Sequence, residues 1–167
     1  MVWSVRKAVP GEEAAVSHIL AATWKTAYKG IIDQAYLDRI DENSPLRLSR
    51  FAQDIARGNI LVAQRGGEIP GAAVTCPCRD ADFPGCGELH ALYMLGSAQR
   101  AGGGSALLRT AQEQFRKEGC RKMIVCCLAQ NTSCAFYAHM GGERVKEAAW
   151  DTQDGRSYPL AVFAFAL

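Results

Sequence analysis

The sequence predicts one α/β domain of the α+β kind, a mixed and mostly antiparallel central sheet flanked by helices. Three observations carry that reading. Gly66-Gly67 and Asp154-Gly155, dipeptides that favour tight hairpins, stand between runs of strand length. One succession of strand, glycine turn, helix and strand, residues 88–128, is long enough to need a right-handed parallel crossover. The length, 167 residues, fits a single domain spanning 1–167 that buries about two thirds of its unfolded surface.

Taken in order, residues 2–9 (VWSVRKAV) alternate as a first strand, which Pro10-Gly11 ends. Glu12-Glu13 favour a helix start, and Val16, Ile19, Leu20, Trp24, Ala27 and Tyr28 recur at steps of three and four until Lys29-Gly30 stop the helix. Residues 34–40 (QAYLDRI) form a short second helix. Ser44-Pro45 opens a third, with Leu46, Leu48, Phe51, Ile55 and Ala56 as its core positions. Strands follow at 59–64 and 69–76, then a polar loop at 79–87. Leu89, Ala91, Leu92, Tyr93, Met94 and Leu95 mark the central strand. Beyond Gly102-Gly103-Gly104 a helix keeps Ala106, Leu107, Leu108, Ala111 and Phe115 on one face until Glu118-Gly119. Residues 123–128 (MIVCCL) are apolar throughout, as in a strand buried on both faces. Asn131 is placed to cap a last helix with Ala135, Phe136 and Met140 inward. Strands at 143–150 and 156–165 close the chain, and an exposed edge strand there points to a homodimer.

The glycine turn suits a phosphate or pyrophosphate. It leaves the first N–H groups of the following helix without partners, aims the positive end of the helix dipole outward and lets the backbone come close. A nucleotide-triphosphate loop needs Gly-Lys-Ser/Thr where Ser105-Ala106 follow Gly104, and a dinucleotide fingerprint needs a glycine where Leu107 stands. Gln99-Arg100-Ala101-Gly102-Gly103-Gly104 instead resembles the acyl-CoA-binding signature Gln/Arg-x-x-Gly-x-Gly/Ala of the GNAT superfamily of N-acetyltransferases. Residues 91–95 look like that superfamily's fourth strand, and 131–142 (NTSCAFYAHMGG) resemble its Asn-x-x-x-Ala-x-x-Phe-Tyr-x-x-x-Gly-Phe segment. Trp24, Tyr28, Gly30-Ile31-Ile32 and Tyr36-Leu37 are similar to the opening of many bacterial members, with Asp33 in place of a proline. The order of elements also agrees with the superfamily's.

The resemblance implies acetyl-CoA as co-substrate. It would lie along Leu92, Tyr93 and Met94 and over Gln99, Arg100, Ala101, Gly102, Gly103, Gly104 and Ser105, beside Asn131 and Tyr137, with pantetheine amides paired to backbone at Leu92 and Met94. It further implies a bulge that frees a backbone N–H near Leu92 as donor to the carbonyl oxygen. Tyr137 matches the family's tyrosine and is the expected acid, since a phenol of pKa about 10 protonates a thiolate of about 8.5 only modestly uphill; the other reading is a core tyrosine. An attacking amine must lose a proton, and Glu88 and His90, on one strand face by alternation, are the candidate bases. Glu88 is favoured, provided burial raises its pKa toward neutral. Trp24 and Tyr28 are either core aromatics or the wall of an acceptor pocket.

The expected activity is acetyl transfer to a primary amine of a small molecule, amino acid or peptide. The alternatives are a non-catalytic acyl-CoA-binding or sensing module and a polyamine- or antibiotic-modifying enzyme, for which Asp33, Asp38, Asp41 and Glu42 would suit a cationic acceptor. Nineteen Lys+Arg against seventeen Asp+Glu, a net charge of +2, argue against nucleic acid or an anionic membrane as partner. With neither a basic leader before an apolar run nor a long apolar span, a cytoplasmic protein is expected. The seven cysteines, including Cys126-Cys127 in an apolar strand, read as reduced small hydrophobes. Cys76-Pro77-Cys78 has one intervening residue, short of zinc-ligand spacing, so no metal is expected.

Overall fold

A computed structural model describes residues 2–167. Seven strands, β1 (Ser4–Lys7), β2 (Ile60–Arg65), β3 (Glu68–Pro77), β4 (Gly87–Met94), β5 (Lys122–Leu128), β6 (Glu143–Asp151) and β7 (Ser157–Ala166), form one sheet in the order β1-β2-β3-β4-β5-β7-β6. Only β4 and β5 run parallel; the other neighbours are antiparallel. The mixed, mostly antiparallel sheet expected from the hairpin signals and the single crossover is therefore present. Among the described residues five α-helices, α1 (Glu13–Ala27), α2 (Gln34–Asp38), α3 (Pro45–Ala56), α4 (Gly103–Lys117) and α5 (Ser133–His139), cover it. No helix among the described residues is long and apolar enough to cross a membrane.

Both faces of the sheet are buried, which is why β2 is apolar at successive positions rather than at alternate ones. Leu61 and Ala63 face α4 and pack with Leu107, Leu108, Ala111 and Phe115, while Ile60 and Val62 face α1 and α3 and pack with Val16, Ile19, Leu20 and Ile55. Gly87 brings α4 close to the sheet, since a Cβ built there would lie 2.3 Å from the Phe115 ring.

The central strand contains the feature on which the site depends. Leu89 pairs with Thr75 and Ala91 with Val74, so His90 is an extra residue on β4, a bulge. The bulge switches the face on which each later side chain falls. Leu89 lies in the α4-side core, Ala91 in the α1-side core, and Met94 again on the α4 side. An unbroken alternation would have put Leu89, Ala91 and Tyr93 on one face.

Several expectations need correction. Ala27, Ala56 and Ala135 are exposed, and Leu46 is 62% exposed; the stripe on α1 is completed instead by the small residues Ser17, Ala21 and Thr23. Cys126 is also exposed, so β5 is not covered along its whole length. Thr132, not Asn131, holds the N-cap position of α5; the Asn131 carboxamide oxygen accepts from the Ser133 N–H at 3.1 Å, one residue further in. The last strand is interior, and the edge belongs to β6. Glu143, Arg144, Lys146, Glu147 and Asp151 line that edge with charge of both signs, the usual guard against edge-to-edge pairing.

Candidate active site

β4 and β5 pair only at Gly87↔Met123 and Glu88↔Ile124 and then part. The Leu95 N–H donates to the Pro70 carbonyl at 2.8 Å. By the alternation of an antiparallel ladder, Tyr93 therefore bonds to β3, while Leu92 and Met94 turn their N–H and C=O groups toward the departed β5. The Met94 carbonyl is taken by the Gln99 carboxamide N–H at 3.0 Å. The Leu92 N–H, the Leu92 carbonyl and the Met94 N–H are left facing a cleft of about 850 Å³, closed on its other sides by Thr23 and Thr26 of α1, the turn before α4, Asn131 and Phe136.

At the far end of this cleft the chain turns into α4. Gly102 takes φ +91° and Arg100, although not a glycine, takes φ +60°, a left-handed conformation of the kind held at ligand-binding turns. The first α4 residue to donate within the helix is Ala106, to the Gly102 carbonyl at 3.0 Å, so the N–H groups of Gly103, Gly104 and Ser105 have no helical partner. The three glycines separate by role. Gly102 and Gly104 line the cleft and Gly103 does not; a Cβ at Gly103 would stand 2.6 Å from the Met94 methyl and 3.0 Å from Trp3, whereas one at Gly104 would meet ordinary contacts from 3.6 Å. Trp3, which sequence reasoning did not single out, donates its indole N–H to the Ala101 carbonyl and fastens the turn to β1. A run of unpartnered N–H groups at a helix start, a left-handed approach and a neighbouring line of free peptide groups fit an elongated ligand with a diphosphate at one end and amides along its length.

A second cavity of about 430 Å³ lies on the other side of Tyr93, walled by Trp24, Tyr36, Phe51 and Arg47 and reached by His90. Tyr93 lines both cavities. Trp24 belongs to an aromatic group, its ring 6.4 Å from Tyr36 and 5.8 Å from Trp150. Tyr28, 5% exposed, is a core residue whose hydroxyl pairs with that of Tyr93 at 3.0 Å. Of the two aromatics expected at an acceptor pocket, Trp24 lines a cavity and Tyr28 supports it from within.

Tyr137 is buried in the α4-side core, its ring 5.9 Å from Phe163. Burial, then the neighbouring Cys127, Tyr28 and Cys134, push its phenol well above the usual range, so the hydroxyl stays protonated but is a weaker acid than the ordinary phenol expected from the sequence, and Tyr137 lines neither cavity. Glu88 overturns one expectation. Burial alone would raise its carboxyl, but the side-chain contacts with His90 and Arg79 outweigh that and hold it at about 2; Arg79 donates to it from a terminal guanidinium nitrogen at 2.6 Å and from its backbone N–H at 3.2 Å. A carboxylate so bound is a fixed anion, not a base tuned near neutral. His90 sits beside it, with Nδ1 3.5 Å from Oε2 of Glu88 and 2.7 Å from a terminal nitrogen of Arg79. Arginine can only donate, so in the contact with Arg79 Nδ1 is the acceptor.

The fold and cleft define an N-acetyltransferase, and the chain belongs to the acetyltransferase (GNAT) family, whose model matches residues 22–141. It is 30% identical over 144 residues to the uncharacterized N-acetyltransferase YuaI of Bacillus subtilis (strain 168), covering 86% of this chain and 82% of that protein. Among solved structures it is similar to the PaiA N-acetyltransferase of Thermoplasma acidophilum in complex with coenzyme A, at TM-score 0.76, 17% identity and 100% of both chains. It also resembles the putative acetyltransferase YncA of Salmonella typhimurium with its cofactor acetyl-CoA, at TM-score 0.75 and 21% identity, over 100% of this chain and 95% of that one.

Proposed function

We propose that the protein moves the acetyl group of acetyl-CoA to the primary amine of a small acceptor by direct attack. One observation carries this reading: the free peptide groups of Leu92 and Met94 face the same cleft as the unpartnered N–H groups at the start of α4. Acetyl-CoA supplies an activated thioester. The chain's own part is to bind and orient it, with diphosphate oxygens at Gly104 and Ser105, pantetheine amides at Leu92 and Met94, and the Leu92 N–H aimed at the carbonyl oxygen as it gains charge. The bulge at His90 is what turns that N–H outward.

The acceptor enters through the second cavity and meets the donor beside Tyr93. Tyr137 supplies a proton to the leaving thiolate from the core side. His90 takes the amine's proton by giving up its contact with Arg79, after which the imidazolium faces the Glu88 carboxylate. The cationic acceptor once suggested by four acidic residues loses support. Asp33 pairs with Arg156 at 3.3 Å and Glu42 with His18 at 2.6 Å, and neither they nor Asp38 and Asp41 line the cavity.

Calorimetry with CoA and a free-thiol assay over a panel of primary amines test the proposal together. We expect micromolar-range binding of CoA, weakened at least tenfold in Gly104→Val, whose γ-methyls would project beyond the space that suffices for a Cβ. Thiol release should require an amine. Binding without release from any amine would leave only a sensing module; unchanged binding in Gly104→Val would misplace the phosphate cradle.

A further inference from the structure

The acceptor cavity contains a cation that forms no ion pair among the described residues. Arg47, on α3, donates from Nε to the Ser17 hydroxyl at 2.9 Å; Ser17 is fully buried and itself donates to the Glu42 carbonyl at 2.7 Å. The guanidinium carbon lies 5.2 Å from the centre of the Phe51 ring. This anchoring fixes the plane of the group and leaves both terminal nitrogens unused: among the described residues neither makes a hydrogen bond or an ion pair within 4.0 Å. Burial pushes the Arg47 pKa down more than nearby Glu42 and Tyr36 raise it, as for a cation short of a partner. Arg50 lines the same cavity and forms no ion pair among the described residues. Asp54 is the one carboxylate in the lining, at the α3 end, with Arg57 3.9 Å away.

A half-buried guanidinium with a free fork is a costly arrangement unless something planar and anionic completes it. We propose that the acceptor is an amino-acid-like amine whose carboxylate is bound by the two free nitrogens of Arg47, with Arg50 attracting it at the mouth. This rests on the reading that the second cavity receives the acceptor. The aromatic walls Trp24, Tyr36 and Phe51 cover the acceptor's apolar body. Its amine then points to the β4 end, where His90 and Tyr93 stand, and a polyamine would place a second cation against Arg47.

The test compares free acids with their methyl esters. N-acetyl-amino acids, the products, are titrated by calorimetry into the CoA-saturated protein, and the parent amino acids are assayed for thiol release. We expect acids to bind and react at least tenfold better than esters, and spermidine to be a poor acceptor. Arg47→Gln should bring the acid-to-ester ratio near one through KM while leaving CoA affinity intact. Arg47→Lys should restore part of the ratio, and Arg50→Gln should lower it less. Esters or spermidine reacting as well as acids would overturn the carboxylate subsite while leaving acetyl transfer standing. So would a wild-type ratio persisting in Arg47→Gln, or no binding of any acid. Acid-selective binding lost in Arg47→Gln, with no thiol release from any amine, would support the subsite and sink catalysis.

Discussion

Glu88 keeps its charge down to a pH of about 2, and the consequence differs for stability and for catalysis. Its carboxyl falls from an ordinary 4.5 to about 2 on folding. A depressed pKa stabilises the fold above the unfolded value and loses that contribution as pH falls from about 4.5 through 2. The full effect corresponds to about 3 kcal/mol, reduced in practice because the Arg79 side chain is 64% exposed. Glu88→Gln should therefore lower the urea midpoint at pH 7, with a much smaller difference from wild type near pH 3. In catalysis the same variant should keep the acidic limb of the pH–rate profile, and His90→Gln should remove it. A limb that survives in both would mean that the amine loses its proton to water. Tyr137→Phe should reduce turnover by roughly tenfold to a thousandfold with CoA affinity nearly unchanged; undiminished turnover would return Tyr137 to the core.

At the scale of elements, β4 and α4 act as a unit, and their glycines divide packing from binding. Gly87→Ala should cost about 1–3 kcal/mol, because its methyl would meet the rigid Phe115 ring from 2.3 Å. Gly103→Ala should cost less, since its nearest contact is the flexible end of Met94 at 2.6 Å. Denaturant midpoints can rank the two. The glycine run itself was legible, because helix starts and anion cradles are local patterns; which glycine packs and which lines the cleft depends on Met94 at the end of β4 and on Trp3, just ahead of β1. The exact position of the bulge, at His90, was not legible for a related reason. The sequence pattern around it is apolar on both sides, so period-two alternation could not mark the slip.

For the whole molecule, the cleft is walled by α1, β4, α4 and the segment leading into α5, all of which must be assembled for CoA to bind. Ligand binding should consequently stabilise the folded state by about 2.7 kcal/mol at a hundredfold excess over Kd, raising Tm by roughly 5–11 °C for a chain of this size. A thermal melt that does not respond to CoA would argue against a cleft spanning these elements.

By itself the sequence determined the succession of elements, the single parallel crossover, the hairpins and the glycine turn that opens α4, since each is written in residues close together along the chain. Tertiary structure decided the rest. β7 lies between β5 and β6, against chain order, so the edge falls on a strand already guarded by charge. The Tyr28–Tyr93 hydroxyl pair joins residues 65 apart and the Ser17–Arg47 anchor residues 30 apart. Whether Glu88 is a base or a fixed anion, and whether Arg47 is surface or subsite, depends on which groups are packed around each charge. Solvation and pairing are properties of the assembled neighbourhood, and no local pattern of residue types records them.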